Sequence, residues 1–199
     1  MVKDKKSNTL YKFQIDGLTG RQYTAGELLN DILKFLFAIK VKRMNLGQGD
    51  VVAITSENRY EFAVVTFGTL FLNATVAPLN VSYTKDEMQH AINISKPKYF
   101  FCSGASVHTA AKVMENKANF KFIRQLIIFG QTSPYLEFLP FDKFLKTRTP
   151  MEETVFVPMK ANLDKVVAFI ACSSGTTGLP KGVQLSQKNI MTYFDRIYR

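Results

Sequence analysis

The chain is 199 residues long, 46% hydrophobic and 21% charged, with 17 Phe, no Trp and a formal net charge of +10 at neutral pH. This is the composition of a soluble globular chain, long enough to bury a core as one domain or a large part of one. The positive charge attracts polyanions in general. Apart from Lys3, Lys5 and Lys6 there is no basic block, and aromatic residues do not alternate with basic ones, which argues against a nucleic-acid platform.

The amino terminus, MVKDKKSNTLYKF, is charged with no apolar stretch behind it. It is not a secretory signal, so an intracellular chain is expected. Thr24 with Glu27 three residues later is a capping-box pattern, followed by Leu28, Ile32, Leu36 and Ile39 on one helical face. A helix is expected to about Arg43, with Gly47 and Gly49 supplying the stop and turn. Val51 to Thr55 reads as a buried strand, and Asn58 with Glu61 as the opening of the next helix.

Phe62 to Leu79 carries no charge over a length that just reaches membrane-spanning range. Thr66, Thr69, Asn73, Thr75 and Pro78 interrupt it, so a buried helix followed by a buried strand from Thr75 to Leu79 fits better. Thr84 and Glu87 form a second capping box, opening a helix that Pro97 stops. KYFFC, ending at Cys102, reads as a strand, Gly104 to Asn116 as a helix, and Gln125 to Phe129 as a strand ended by Gly130. Strands alternating with helices of this length imply right-handed crossovers and the α/β class, a mainly parallel sheet flanked by helices.

Residues 131–164 hold four of the seven prolines and follow neither period for long. An irregular surface connection is expected there, with one short helix around Phe141 to Lys146. The two cysteines, Cys102 and Cys172, each follow an apolar run and lie in no metal-ligand spacing. They read as buried, reduced thiols at strand ends.

Val166 to Ala171 reads as another fully buried strand, running into SSGTTGLPKG, Ser173 to Gly182. Loops leaving the strands of an open parallel sheet converge on a ligand crevice. Gly175, Gly178 and Gly182 let the backbone turn sharply, successive amide N–H groups form a concave anion site, and Lys181 adds a mobile point charge suited to phosphate. The Walker loop requires Gly-Lys-Ser/Thr, whereas Pro180 precedes Lys181 here and Gly182 follows it. Val183 and Leu185 flank Gln184 as in a short strand, and Ser186 then reads as a helix cap. The loop is therefore expected to join strand to strand. A Ser-His-Asp hydrolase is disfavoured, because His90 and His108 both fall on expected helices away from any G-x-S-x-G elbow.

Ile170 to Gly182, IACSSGTTGLPKG, resembles the signature loop of the acyl-adenylating, AMP-binding enzymes: acyl- and aryl-CoA ligases, 4-coumarate–CoA ligases and beetle luciferases. GDVVAI from Gly49 and the segment from Val76 to Phe101 are similar to the amino-terminal half of that family, with the flavour of insect luciferase-like ligases. The resemblance implies activation of a fatty or aryl carboxylic acid by ATP and Mg²⁺ as an acyl-adenylate, then transfer to coenzyme A. By resemblance, Ser173, Ser174, Gly175, Thr176, Thr177, Gly178 and Lys181 belong to the loop that closes on the ATP phosphates, and Thr176 or Thr177 contributes Mg²⁺ or phosphate contacts, Thr176 being the candidate for Mg²⁺. Gln187 departs from the His that many members carry, and a modest effect on the support of the loop is expected.

The family continues into an acyl pocket, an adenine- and Mg²⁺-binding segment, a ribose-binding Asp and a mobile domain carrying the adenylation Lys. None of these follows Lys181, so residues 1–199 are expected to be part of an amino-terminal AMP-binding domain, without the catalytic-lysine domain and inactive alone. The alternative from another class is a non-catalytic, truncated binding or interaction module. The resemblance implies a peroxisomal or cytosolic location, and the ending IYR is not a peroxisomal signal.

Overall fold

The computed structural model describes residues 12–17, 19–41, 44–146, 160–173 and 180–197. Two amino-terminal strands, β1 (Lys12–Ile15) and β2 (Gln22–Thr24), pair antiparallel and lead into α1 (Ala25–Val41). Then follow β3 (Val51–Thr55), α2 (Tyr60–Phe71), β4 (Thr75–Leu79), α3 (Lys85–Ser95), β5 (Tyr99–Cys102), α4 (Val107–Met114) and β6 (Gln125–Ile128). The rest comprises β7 (Phe138–Pro140), α5 (Phe141–Leu145), β8 (Val167–Ser173), β9 (Lys181–Ser186) and α6 (Gln187–Ile197).

The main sheet has seven strands among the described residues, in the order β7-β6-β5-β3-β4-β8-β9. Every neighbouring pair is parallel except β8 with β9. The α/β class expected from the alternating pattern is the observed one.

Strand side chains alternate between two cores, as the period of two requires. Val52, Ile54, Val76, Tyr99 and Phe101 point to the face covered by α1 and α2. Ala53, Ala77, Phe100 and Cys102 point to the face covered by α3 and α4. Phe101, fully buried, lies with ring centroids 6.0–6.2 Å from Phe35, Phe129, Phe141 and Phe144.

Both expected capping boxes form. The Glu27 and Glu87 carboxylates accept from the backbone N–H groups of Thr24 and Thr84 at 2.7 and 2.8 Å. Each threonine hydroxyl accepts in return from the Glu backbone N–H. Gly49 turns the chain into β3 at a φ of 87°, in the left-handed region that glycine enters without steric cost.

Several expectations are corrected. The cap of α2 is Arg59 rather than Asn58, with no side-chain capping bond, because the Arg59 guanidinium occupies the Glu61 carboxylate at 2.7 Å. The helix expected from Gly104 to Asn116 is confined to Val107–Met114. The proline-rich connection contains a short strand, β7, paired in parallel with β6 before the expected short helix α5. The strand leading into the loop is only partly buried, because its outer neighbour β9 is a largely exposed edge. Cys102 is buried and Cys172 half-buried, both as free thiols. The end expected for α1 at residues 42 and 43, and residues 147–159 of the connection, lie outside the described residues. Among the described residues no helix is long and apolar enough to cross a membrane.

Candidate phosphate-loop hairpin

Strand β8 runs parallel to β4, so its carboxyl end lies on the same side of the sheet as those of β3, β4, β5 and β6. That side is where ligands bind open α/β sheets. At this end β8 finishes in Ser173 and β9 begins at Lys181, and the two residues are register partners. The Ser173 hydroxyl donates to the Lys181 carbonyl at 3.4 Å. Lys181 is exposed and makes no ion pair among the described residues. The strand-to-strand connection read from the sequence is thus an antiparallel hairpin with a hydroxyl and a cation at its mouth. Ser174, Gly175, Thr176, Thr177 and Gly178, the rest of the sequence-derived loop, lie outside the described residues.

Helix α3 and the turn before it brace both rails of this hairpin. The Tyr83 side chain packs in the same cluster as Cys172, one residue before the mouth, and interacts with its thiol. Burial pushes the Cys172 thiol above its ordinary value, and the Tyr83 contact partly offsets this. Burial pushes the Cys102 thiol up further, so neither thiol is poised as a thiolate nucleophile. On the returning rail, His90 Nε2 lies 2.9 Å from the carbonyl oxygen of Pro180. Gly182 meets Ile94 so closely that a side chain at 182 would collide with it.

The sequence placed His90 on a helix without a role. Its partner lies 90 residues away, and no local pattern signals such a contact.

Gln187 acts at the opposite end of the hairpin. Its side-chain amide donates to Asn73 Oδ1 at 3.3 Å, and its backbone N–H to the Val166 carbonyl at 2.9 Å. Val167 pairs with Ser186 there, six residues along β8 from Ser173, or about 20 Å at strand rise. The departure from the family pattern therefore bears on the seating of β8 and the start of α6, away from the mouth. Ser186 caps α6 as expected, its hydroxyl accepting from the Asn189 backbone N–H at 3.1 Å.

A family model described as AMP-binding enzyme matches residues 5–198. The luciferin 4-monooxygenase of Photuris pensylvanica is 32% identical over 181 residues, covering 89% of this chain and 33% of that protein. A probable 4-coumarate–CoA ligase 3 of Dictyostelium discoideum is 27% identical over 187 residues, again 89% of this chain and 33% of that protein. A natural red-emitting luciferase from Phrixothrix hirtus superposes with a TM-score of 0.79 at 29% identity, covering 90% of this chain and 34% of that one. The chain thus spans about a third of the length of these relatives. By a match that runs from residue 5 to residue 198 through the hairpin, the chain belongs to the AMP-binding enzyme family.

Proposed function

We propose that the protein containing these residues activates a fatty or aryl carboxylic acid with ATP and passes the acyl group to coenzyme A. The observation that carries this reading is the mouth of the β8–β9 hairpin, where Ser173 and Lys181 face one another at the carboxyl end of a parallel strand. Relatives named as luciferin 4-monooxygenase and 4-coumarate–CoA ligase support it.

The chemistry asks little of a general base. A carboxylate is anionic near neutral pH and attacks the α-phosphorus directly; the bond to the pyrophosphate oxygen breaks and pyrophosphate leaves. A thiol then attacks the carbonyl carbon of the acyl-adenylate and AMP leaves. The first step needs charge neutralisation and alignment. Lys181, exposed and without a competing carboxylate among the described residues, fits a phosphate as a point charge, and the Ser173 hydroxyl holds its carbonyl at the mouth. In this reading Ser174, Gly175, Thr176, Thr177 and Gly178 complete the phosphate loop, with Thr176 toward Mg²⁺. In this reading Mg²⁺ enters on the triphosphate, as is usual for a cation that keeps substrate phosphate oxygens among its ligands.

Residues 1–199 then supply the first part of the amino-terminal domain. The acyl pocket and the lysine-bearing domain are contributed elsewhere, and the 199-residue polypeptide does not adenylate alone. The location in this reading is the peroxisome or the cytosol.

The test is ATP–pyrophosphate exchange by the native-length protein with a panel of fatty and aryl acids. Acid-dependent exchange is expected, falling at least about tenfold in Lys181→Ala. A folded protein that exchanges with no acid of the panel overturns the reading.

A further inference from the structure

We propose that His90 is a positioning residue for the phosphate loop, fixing the entry of Lys181 into β9 by holding the carbonyl oxygen of Pro180. The proposal rests on the phosphate-binding reading above.

Pro180 sits one residue outside the last paired rung of the hairpin, Ser173 with Lys181. Its ring nitrogen carries no hydrogen, so its carbonyl is its only backbone hydrogen-bonding group. Among the described residues no strand residue beyond the last rung is in register with that carbonyl, and Pro180 is half-buried, where an unpaired acceptor is costly. His90 Nε2 fills the place at 2.9 Å, donating with the proton on Nε2.

The imidazole is carried by a firmly placed element. Its helix is fixed at the start by the Thr84–Glu87 box, pressed against β9 where Ile94 meets Gly182, and preceded by Tyr83 on Cys172. Those contacts locate the two rails, and the His90 bond locates the point where the loop returns. Lys181 follows directly, its Cα about 3.8 Å from that of Pro180, so a displaced Pro180 displaces the origin of the cation. Alignment of a charge with a phosphate tolerates little such error.

The test compares His90→Ala, His90→Gln and His90→Asn in the native-length protein. Two quantities are read: KM for ATP against kcat in pyrophosphate exchange, and the initial rate of tryptic cleavage between Lys181 and Gly182. For His90→Ala, KM for ATP is expected to rise about fivefold, as for a lost neutral hydrogen bond, with kcat nearly unchanged and cleavage faster. His90→Gln is expected to restore both, since its amide nitrogen reaches as far as Nε2, whereas the shorter Asn is not.

Unchanged KM and cleavage in His90→Ala overturn the proposal, as does a Gln variant no better than Ala. A residue that merely stabilised the fold would lower the melting temperature without this KM selectivity or this dependence on reach. Lys181→Ala, run in parallel, separates the two readings. If it raises KM for ATP and His90→Ala does not, only the role of His90 fails. If Lys181→Ala leaves both KM for ATP and kcat untouched, the phosphate-loop reading fails and takes the positioning role with it.

Discussion

A β-carbon placed on Gly182 would stand 2.5 Å from Cγ2 of Ile94 and 3.3 Å from Cγ2 of Ile170, so helix α3 lies directly on the backbone of β9. Gly182→Ala is therefore expected to destabilise the protein by about 1–3 kcal/mol through overpacking. In an Ile94→Ala background the methyl that blocks the site is gone and the penalty should shrink. A double-mutant cycle from urea unfolding measures the difference. Equal penalties in both backgrounds would mean that the close approach is not the cause.

Phe101 of β5 joins four other phenylalanines, from α1, from α5 and from the residue after β6. Phe101→Ala should cost about 3–5 kcal/mol, because the lost contact area and the cavity add. Leu136 is fully exposed, and Leu136→Ala should leave the unfolding midpoint unchanged. The pair separates core packing from bulk hydrophobicity.

The Thr84–Glu87 box makes stability depend on acid. Backbone and hydroxyl hydrogen bonds from Thr84 hold the Glu87 carboxyl below its ordinary value of 4.5. A depressed folded value means that the contribution is present above the ordinary carboxylate range and is lost as pH falls through the folded value. Urea midpoints of wild type and Glu87→Gln should therefore differ most near neutral pH and converge in acid. A constant gap between them would locate the effect elsewhere.

Helix α6 turns Met191, Tyr193, Phe194 and Ile197 to solvent, and Val183 on the edge strand β9 is also exposed. The 199-residue polypeptide is expected to self-associate through this face. Phe194→Ser with Met191→Ser should lower the association seen by sedimentation while leaving helix content unchanged. Undiminished association would point to another surface.

What could be read in the sequence was what is local. Thr84 and Glu87 are three residues apart, and every partner in their box lies within that turn, so pattern and structure agree. The aromatic run of β5 and the β-branched run of β3 carry their own signal in the same way. Asn58 and Glu61 show the same spacing as a box, yet Arg59 competes for the carboxylate and the cap moves one residue on. Strand β7 is three residues long and ends in proline; only its pairing with β6 makes it a strand.

At the site, sequence alone pointed to the hairpin and to Lys181 because the loop composition is dense. The contacts of His90 with Pro180 and of Gln187 with Asn73 span 90 and 114 residues, and no periodicity encodes them.

The hairpin's geometry also orders events in time. Ser173 and Lys181 are eight residues apart, whereas the bond from the Thr75 hydroxyl to the Val167 carbonyl, which helps seat β8 beside β4, bridges 92. Hairpins close in about 1–10 μs, while distant pairings must wait for the entropy of a long loop to be overcome. As the chain folds, the two rails can meet long before the sheet that receives them is complete. Docking of β8 onto β4 is then expected to be the slower step that seats the hairpin.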